Sequence, residues 1–227
     1  MKRPGLFLFL SFLLCRPLFA QHQDLGSWMT FSANKGLFGK LEFNFDQEFR
    51  LRDNLTNVNL FYTNLGFSYK VNKYMKVSAT YRFIDKHKSD GSYGLRNRFF
   101  TDLTFKIKPG KFNLSYRFRC QEEWRGAGYN DTYGNVPEIY IRNLFKVAYK
   151  LTGHWSPYAG TELRWQLQNP RIPYYNGFDR SRFFAGTDYK INDHNTAGVY
   201  FLYQLEWNVV DPETLYIIGL EYSIDID

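Results

Sequence analysis

The sequence predicts an all-β protein: a single closed antiparallel transmembrane β-barrel of about 10–12 strands, connected as an up-and-down meander. Apolar and polar side chains alternate with a period of two through most of the chain, for example over 41–52. This pattern is typical of strands that have one apolar and one polar face. Short turns and longer polar loops also alternate strictly, as they do in barrels that cross a bacterial outer membrane.

The first element is not a strand, because residues 1–20 have the organisation of a cleaved secretory signal peptide. Met1, Lys2 and Arg3 form a basic start, 6–14 is an apolar run, and Ala20 offers a cleavage site. The apolar run is too short to cross a bilayer as a helix; the alternative is a buried N-terminal helix. We therefore expect a signal peptide at 1–20 and an outer-membrane β-barrel at 21–227.

Alternating segments then follow one another to the end of the chain. They lie near 26–33, 39–52, 57–71, 74–85, 95–108, 111–124, 138–151, 154–167, 179–191, 195–209 and 214–225. Many exceed the usual strand length of about 5–6 residues and match the roughly 9–11 residues of a tilted membrane-crossing strand.

The number of segments is odd, whereas bacterial barrels usually have an even number of strands. Eleven strands would make the first and the last strand parallel. Either 26–33 is not a full spanning strand, which predicts ten strands, or one strand has been missed or merged, which predicts twelve.

Two kinds of connection join these segments. Short turns are predicted near 34–36, 72–73, 109–110, 152–153 and 192–193, and longer loops near 53–56, 86–94, 125–137, 168–178 and 210–213. In transmembrane barrels the short turns face the periplasm and the longer loops face outward.

The polar face of the segments is rich in long charged side chains and predicts the lumen of the barrel. The predicted lumen-lining residues are Arg50, Arg82, Arg98, Arg117, Arg119, Arg142, Arg164, Arg182, Glu48, Asp102, Glu162, Asp188 and Glu206. Such a lumen is either a narrow passive solute pore that favours anions or a salt-bridge network that fills a structural barrel. The sequence leaves both open.

Aromatic residues make up 20% of the chain, and Trp and Tyr gather near the ends of the segments. This distribution predicts two interfacial girdles at the membrane surfaces. The predicted members are Trp28, Trp155, Trp165, Trp207, Tyr69, Tyr149 and Tyr189. The alternative is a secreted soluble β-barrel, in which the apolar face points inward and the lumen binds a ligand.

Charge and cysteine content exclude other classes of function. Removing Lys2, Arg3 and Arg16 from the 29 basic residues leaves 26 against 22 acidic residues, a net charge of +4. That charge is too small for a nucleic-acid footprint. Cys120 is the one cysteine of the mature chain, so we expect neither an intrachain disulfide nor a Cys-based metal site. No cofactor is expected.

Three short stretches carry a resemblance to a known family: 28–30, 41–51, and 81–83 after an Asn-Lys turn. With the signal peptide, they resemble the domain of unknown function 2490 family, small outer-membrane β-barrels typical of Bacteroidota. The resemblance implies a barrel in the cell outer membrane with no assigned activity. The expected partners are outer-membrane lipids and lipopolysaccharide, the barrel-assembly machinery during biogenesis, and a small solute.

One stretch suggests chemistry. Residues 87–91, which include His87 and Ser89, resemble the His-x-Ser-Asn-Gly stretch of outer-membrane phospholipase A barrels, in which His activates Ser and an Asn orients the His. The resemblance implies a second hypothesis, a lipid hydrolase that uses His87 and Ser89. Asp90 departs from the pattern, and Asn97 is the candidate for the orienting residue. We expect no enzymatic activity, because a loop tip lacks the fixed geometry that a nucleophile and its base need.

Overall fold

A computed structural model describes residues 22–88, 90–129, 133 and 135–226. The described residues form eleven strands and one turn of 3-10 helix at Pro173–Tyr175. The strands are β1 (His22–Gly36), β2 (Leu41–Arg52), β3 (Asn57–Lys70), β4 (Met75–His87), β5 (Tyr93–Ile107), β6 (Phe112–Arg125), β7 (Glu138–Tyr149), β8 (Trp155–Gln168), β9 (Gly177–Lys190), β10 (Asn195–Glu206) and β11 (Glu213–Ile226). The predicted signal peptide lies outside the described residues. No helix among those described is long and apolar enough to cross a membrane.

The strands follow one another in chain order around a closed barrel. Consecutive strands pair in antiparallel fashion, and β1 closes the barrel by pairing with β11 in parallel, from His22 opposite Glu213 to Lys35 opposite Ile226. The strand number lies within the predicted range, but the expectation of an even number was wrong. The first strand spans His22–Gly36 rather than 26–33, and it is a full member of the barrel.

The predicted difference between short turns and longer loops holds for three of the five loops, since the connections at 53–56 and 88–92 are as short as the turns at the other end. Short turns at 37–40, 71–74, 108–111, 150–154 and 191–194 form one end of the barrel, which we call the turn rim. The other end, the loop rim, is formed by the described residues of the connections at 53–56, 88–92, 126–137, 169–176 and 207–212. Because the strand number is odd, β1 begins at the loop rim and β11 ends at the turn rim.

The start of β1 is bound to the first loop. The carboxylate of Asp24 accepts hydrogen bonds from the backbone amides of Asp53 at 2.9 Å and Asn54 at 2.8 Å. Asp53, Asn54 and Leu55 have φ values of 54°, 54° and 69°, a left-handed conformation that costs free energy for residues other than glycine. The hydrogen bonds to Asp24 offset that cost and fix the entrance of the closing strand.

Side chains alternate between the outer surface and the interior along each strand. On β3, Phe61, Leu65 and Phe67 are exposed, whereas Tyr62 and Asn64 are buried. The exposed side chains of the barrel wall are mostly large and apolar, while much of the buried set is polar or charged. This arrangement is the reverse of a soluble barrel and matches a barrel whose outer surface meets lipid.

Candidate functional site

The interior of the barrel contains three cavities that follow one another along its axis. The middle cavity has a volume of about 600 Å³, the loop-end cavity about 250 Å³ and the turn-end cavity about 670 Å³. The middle and loop-end cavities share Arg50, Arg98 and Arg182 among their lining residues. The middle and turn-end cavities share Lys146.

A row of arginines crosses the wall of the middle cavity. Arg119 on β6 is directly opposite Arg142 on β7, Arg142 is opposite Arg164 on β8, and Arg164 is opposite Arg180 on β9. All four line the middle cavity. Like charges directly opposite each other destabilise a sheet, so this row requires compensation by carboxylates.

Two buried carboxylates supply much of that compensation. Glu162 accepts hydrogen bonds from three arginines, from Arg142 at 2.5 Å, from Arg117 at 2.8 Å and from Arg182 at 3.0 Å. Asp179 accepts two hydrogen bonds from Arg164, at 2.9 and 2.7 Å. Further pairs join Arg119 to Asp102, Arg180 to Glu206, Arg50 to Glu48, and both Arg96 and Arg98 to Glu123.

Arg82 differs from these arginines. Its Nε donates to Oδ1 of Asn64 at 2.6 Å, and its guanidinium carbon lies 3.5 Å from the centroid of the Tyr62 ring. Within the described part of the chain, no carboxylate forms an ion pair with Arg82, which is only 7% exposed and lines the middle cavity. Arg98 stands directly opposite it on β5. Arg82 therefore presents a guanidinium to the cavity with no carboxylate of its own.

Cations outnumber carboxylates around the middle cavity. Counted over the described residues, nine arginines and two lysines line it, against four carboxylates. Four further carboxylates, Glu48, Glu123, Asp179 and Glu206, pair with arginines of this lining from outside it, which leaves eleven cations against eight carboxylates. A confined space with such an excess of one sign concentrates counter-ions of the opposite sign. Around this cavity positive side chains therefore remain in excess after the ion pairs are counted.

Aromatic rings inside the barrel hold the arginines in place. The guanidinium carbon of Arg50 lies 3.6 Å from the centroid of the Trp28 ring, and that of Arg119 lies 3.8 Å from the centroid of Phe100. Stacking on an aromatic face is attractive for a guanidinium and restricts its orientation. Neither ring was among the predicted lumen residues, and Trp28 was predicted for an interfacial girdle.

The prediction that Trp28 belongs to an interfacial girdle was wrong. Trp28 is 8% exposed and lines the middle cavity. Because β1 begins at His22, Trp28 lies well inside the strand, on its inward face, opposite Gly219 of β11 and Arg50 of β2. A Cβ at position 219 would meet the ring of Tyr200, so Gly219 provides space between two large interior rings.

The other predicted interfacial aromatics lie near the two rims. Trp165 and Trp207 are near the loop rim, and Tyr69, Tyr149, Trp155 and Tyr189 are near the turn rim. Trp155 and Tyr189 pack together, with ring centroids 4.7 Å apart. The exposed fractions are 51% for Trp165 and 45% for Trp155. Positions near the two rims fit the depth of the lipid headgroups, where amphipathic aromatic side chains are enriched.

The predicted lumen residues are divided among the cavities. Arg50, Arg82, Arg98, Arg117, Arg119, Arg142, Arg164, Arg182, Asp102 and Glu162 line the middle cavity. Glu48 is buried beside Arg50, Glu206 lines the loop-end cavity and Asp188 lines the turn-end cavity.

The predicted set omits several interior charges. Lys76 and Lys146 share the inward face of their strands and were detectable from the alternation. Asp179, which is fully buried, was not detectable in this way. A register shift between Arg164 and Trp165 brings it to Arg164, and a bulge of this kind is not visible in a period-two pattern.

Of the proposed hydrolase residues, the structure describes His87 and Asn97, which lie apart along neighbouring strands. His87 ends β4 and packs against Tyr93, with ring centroids 5.1 Å apart. Its Nδ1 is buried and has no hydrogen-bond partner among the described residues. Asn97 lies four positions beyond Tyr93 on β5, or roughly 13 Å along the strand. Ser89 lies outside the described residues.

The carboxylate of Asp90 is committed to its own loop. Its Oδ1 accepts hydrogen bonds from the backbone amide of Ser92 at 2.9 Å and from the Ser92 hydroxyl at 2.6 Å. These hydrogen bonds lower the pKa of Asp90 to about 2. The described residues also contain no cluster of His, Cys, Asp and Glu that could hold a metal ion.

The family described as "Protein of unknown function (DUF2490)" matches residues 25–213. The chain belongs to this family. The resemblance seen in the sequence is thereby confirmed, and DUF2490 carries no assigned activity in its description. One relative from Methylorubrum extorquens, an uncharacterized protein, is 23% identical over 175 residues, which cover 74% of this chain and 73% of the relative.

Two solved structures are similar to this DUF2490 member over most of their length. The NanC porin aligns with a TM-score of 0.51 at 13% identity, over 79% of this chain and 86% of the porin. The β domain of the Bordetella autotransporter BrkA aligns with a TM-score of 0.45 at 10% identity, over 82% of each chain. The likeness to the porin shows that this chain shares the closed β-barrel fold of that protein.

Proposed function

We propose that the protein is a narrow, passive pore in the outer membrane that favours small anions over cations. The observation that carries the proposal is the row of four arginines across the middle cavity, within a lining where cations outnumber carboxylates. Rings of basic side chains are a common source of anion preference in membrane pores.

The outer surface supports the location. Large apolar side chains cover the barrel wall, and exposed Trp and Tyr residues lie near both rims. A charge on such a surface at mid-membrane depth costs about 2–4 kcal/mol. The arginines of the strands lie on the side that faces the lumen, as expected for a barrel surrounded by lipid. The predicted signal peptide provides the route of export.

A structural barrel with a closed lumen is the second candidate. The observation that favours it is the ion-pair network, in which Glu162 alone holds three arginines. A lumen bridged by such pairs would conduct poorly. Both candidates are passive, and we propose that neither involves enzymatic activity.

The test is the ion selectivity of the refolded protein in planar bilayers. In a KCl gradient, we expect a reversal potential that indicates preference for chloride. A unit charge about 6 Å from an ion in water contributes somewhat under 1 kcal/mol. Because the charge attracts chloride and repels potassium, the two effects multiply in the ratio, and salt screens both. Arg82→Gln should therefore reduce the permeability ratio of chloride to potassium by about three- to tenfold.

Lys73→Gln is the matched control, because Lys73 lies in a turn at the rim and lines none of the three cavities. It removes one positive charge and should leave the ratio unchanged. Preference for potassium would contradict the proposal. Folded protein that gives no conductance steps would favour the structural barrel, and phospholipid hydrolysis abolished by Ser89→Ala would favour the hydrolase.

A further inference from the structure

We propose that the turn-end cavity is a binding site for small anions that carry several negative charges, such as tripolyphosphate or a tricarboxylate. The idea that solutes enter the barrel at this site rests on the proposed pore function and adds a substrate class to it. Binding of the anion at the site is tested separately from conduction.

The cavity has the size and the charge for such a ligand. Its volume of about 670 Å³ lies within the range of about 300–1,000 Å³ that is usual for small-molecule sites. Six lysines line it, Lys106, Lys108, Lys111, Lys146, Lys150 and Lys190, whereas its acidic lining among the described residues is limited to Asp188 and Asp225.

Most of these lysines lack a carboxylate partner. Lys146 lies 3.7 Å from Asp188, and Lys190 lies 2.6 Å from Asp193 in the adjacent turn. Within the described residues, Lys106, Lys108, Lys111 and Lys150 form no side-chain ion pair or hydrogen bond. In contrast, the arginines at the other end of the lumen are tied to Glu123, Glu138 and Glu206, and among the described residues Lys86 is the one cation of the loop-end cavity without an ion pair. The unpaired positive charge is therefore concentrated at the turn rim.

The lysines point into the lumen rather than toward lipid. Lys106 shares the inward face of β5 with Asp102, and it is opposite Ser115, which is in turn opposite Lys146. Two strand spacings separate Lys106 from Lys146, or about 10 Å between backbones. A hydrogen bond from the Lys150 amide to the Lys111 carbonyl, 2.8 Å long, holds the rim together beside them. Several ammonium groups on different strands can thus reach one multivalent anion.

The side-chain chemistry suits capture rather than tight recognition. A lysine ammonium is a compact, hydrated point charge on a flexible stem, without the fixed fork of a guanidinium. Such groups bind phosphate and carboxylate oxygens in many orientations. Lys146 also lines the middle cavity, so an anion held at the turn rim is already in contact with the entrance to the arginine row.

The first test measures binding without conduction. Tripolyphosphate is titrated calorimetrically into the full mature chain in maltoside micelles, which carry no phosphate. We expect binding that weakens at high salt, because exposed charges are screened. The triple variant Lys106→Gln, Lys108→Gln, Lys150→Gln should bind about tenfold more weakly, a loss near 1.4 kcal/mol.

The matched control removes the same charge from the same rim. Lys35, Lys40 and Lys73 lie at or near the turns but do not line the cavity. Lys35 shares the outward face of β1 with Phe31, and Lys40 Nζ donates to the Val71 carbonyl. Their replacement by Gln should leave tripolyphosphate binding within about twofold of the parent. An equal loss in both triple variants would overturn the proposed site, because net charge alone would then explain binding.

The second test asks whether binding is sided. In planar bilayers that contain oriented protein, tripolyphosphate added at the turn rim should block the KCl current at lower concentration than at the loop rim. The triple lysine variant should lose that difference. Conduction without any sided block would contradict the site and leave the anion pore standing. Binding without conduction would contradict the pore and leave the site standing.

A third experiment tests whether the lysines bind free anions or lipid headgroups. Because the lysines face the lumen, a short-chain phosphatidylglycerol added to the micelles at equal phosphate concentration should not displace tripolyphosphate. Displacement would show that the lysines bind a lipid surface and would overturn the proposal.

Discussion

At the scale of single residues, Glu162 holds the interior together. Its side chain is buried and accepts hydrogen bonds from Arg117, Arg142 and Arg182, which reach it from three strands. Removing one partner of a buried ion pair leaves charges uncompensated, which usually costs more than the intact pair contributes. The residue thus offsets part of the repulsion within the arginine row, whereas Arg82 is left without such compensation.

Replacing Glu162 should lower the stability of the barrel and raise its selectivity for chloride. We expect Glu162→Gln to lower the free energy of unfolding by about 3–5 kcal/mol, because three guanidiniums lose one buried carboxylate. The same change should raise the preference for chloride. Urea unfolding in detergent micelles, followed by tryptophan fluorescence, measures the first effect, and reversal potentials measure the second.

Glu42→Gln serves as the comparison for this prediction. Glu42 pairs with Lys70 near the turn rim in a more exposed setting, where an ion pair contributes about 0–1 kcal/mol. A loss of stability as small for Glu162→Gln as for Glu42→Gln would show that Glu162 has no special role.

At the scale of elements, the seam between β1 and β11 decides the shape of the barrel. The two strands are parallel, and their pairing extends over the full length of β1 from the loop rim to the turn rim. The hydrogen bonds of Asp24 to loop 53–56 anchor one end of this seam. In hydrocarbon an open strand edge is costly, so a chain with eleven strands closes by its one available pairing, although parallel pairs are slightly less stable.

A disulfide across the seam tests the parallel register. Ser32 and Ser223 are opposite each other, and neighbouring strands about 4.8 Å apart place their Cα atoms within the range that a disulfide spans. In a Cys120→Ser background, Ser32→Cys with Ser223→Cys should form a cross-link on mild oxidation of the folded protein.

The control pair for the seam is Ala33→Cys with Ser223→Cys. These positions are adjacent but lie on opposite faces of the wall, and we expect little cross-linking. Equal cross-linking of both pairs would indicate a mobile seam. A seam that forms no cross-link in either pair would contradict the register.

At the scale of the whole molecule, two kinds of asymmetry define the protein. Across the wall, apolar side chains cover the outside and arginines, carboxylates and aromatic rings fill the inside. Along the axis, unpaired lysines gather at the turn rim, whereas the charges near the loop rim are mostly paired. A passive barrel with these asymmetries would conduct unequally in its two directions.

Tryptophan quenching tests the difference between inside and outside. Two variants retain a single tryptophan, Trp165 or Trp28, and carry Phe at the other tryptophan positions. In bilayers of lipids brominated in the upper acyl chain, Trp165 fluorescence should be strongly quenched, because this side chain is 51% exposed on the outer wall. Trp28, stacked against Arg50 inside the barrel, should be quenched little. Comparable quenching of both would place Trp28 at the lipid surface after all.

Much of the candidate site was predictable, and the limits have physical causes. The inward positions of Arg50, Arg82 and Glu162 follow from alternation, because successive side chains of a strand point to opposite faces. The inward position of Trp28 did not follow, since its predicted strand began at 26 and placed it near an end. Asp179 was not predicted as an interior residue, because a bulge changes the register locally without changing the composition of the strand.

The amino-acid sequence by itself determined that this protein is a β-barrel with an apolar outer wall and a charged lumen, because the period of two and the chemistry of each face are local properties. The tertiary structure alone decided the parallel closure, the alignment of four arginines into one row, the sharing of Glu162 among three of the arginines around it, and the gathering of unpaired lysines at one rim. Those features depend on the register between strands. In a closed barrel every register is constrained by all the others, so no segment taken alone contains that information.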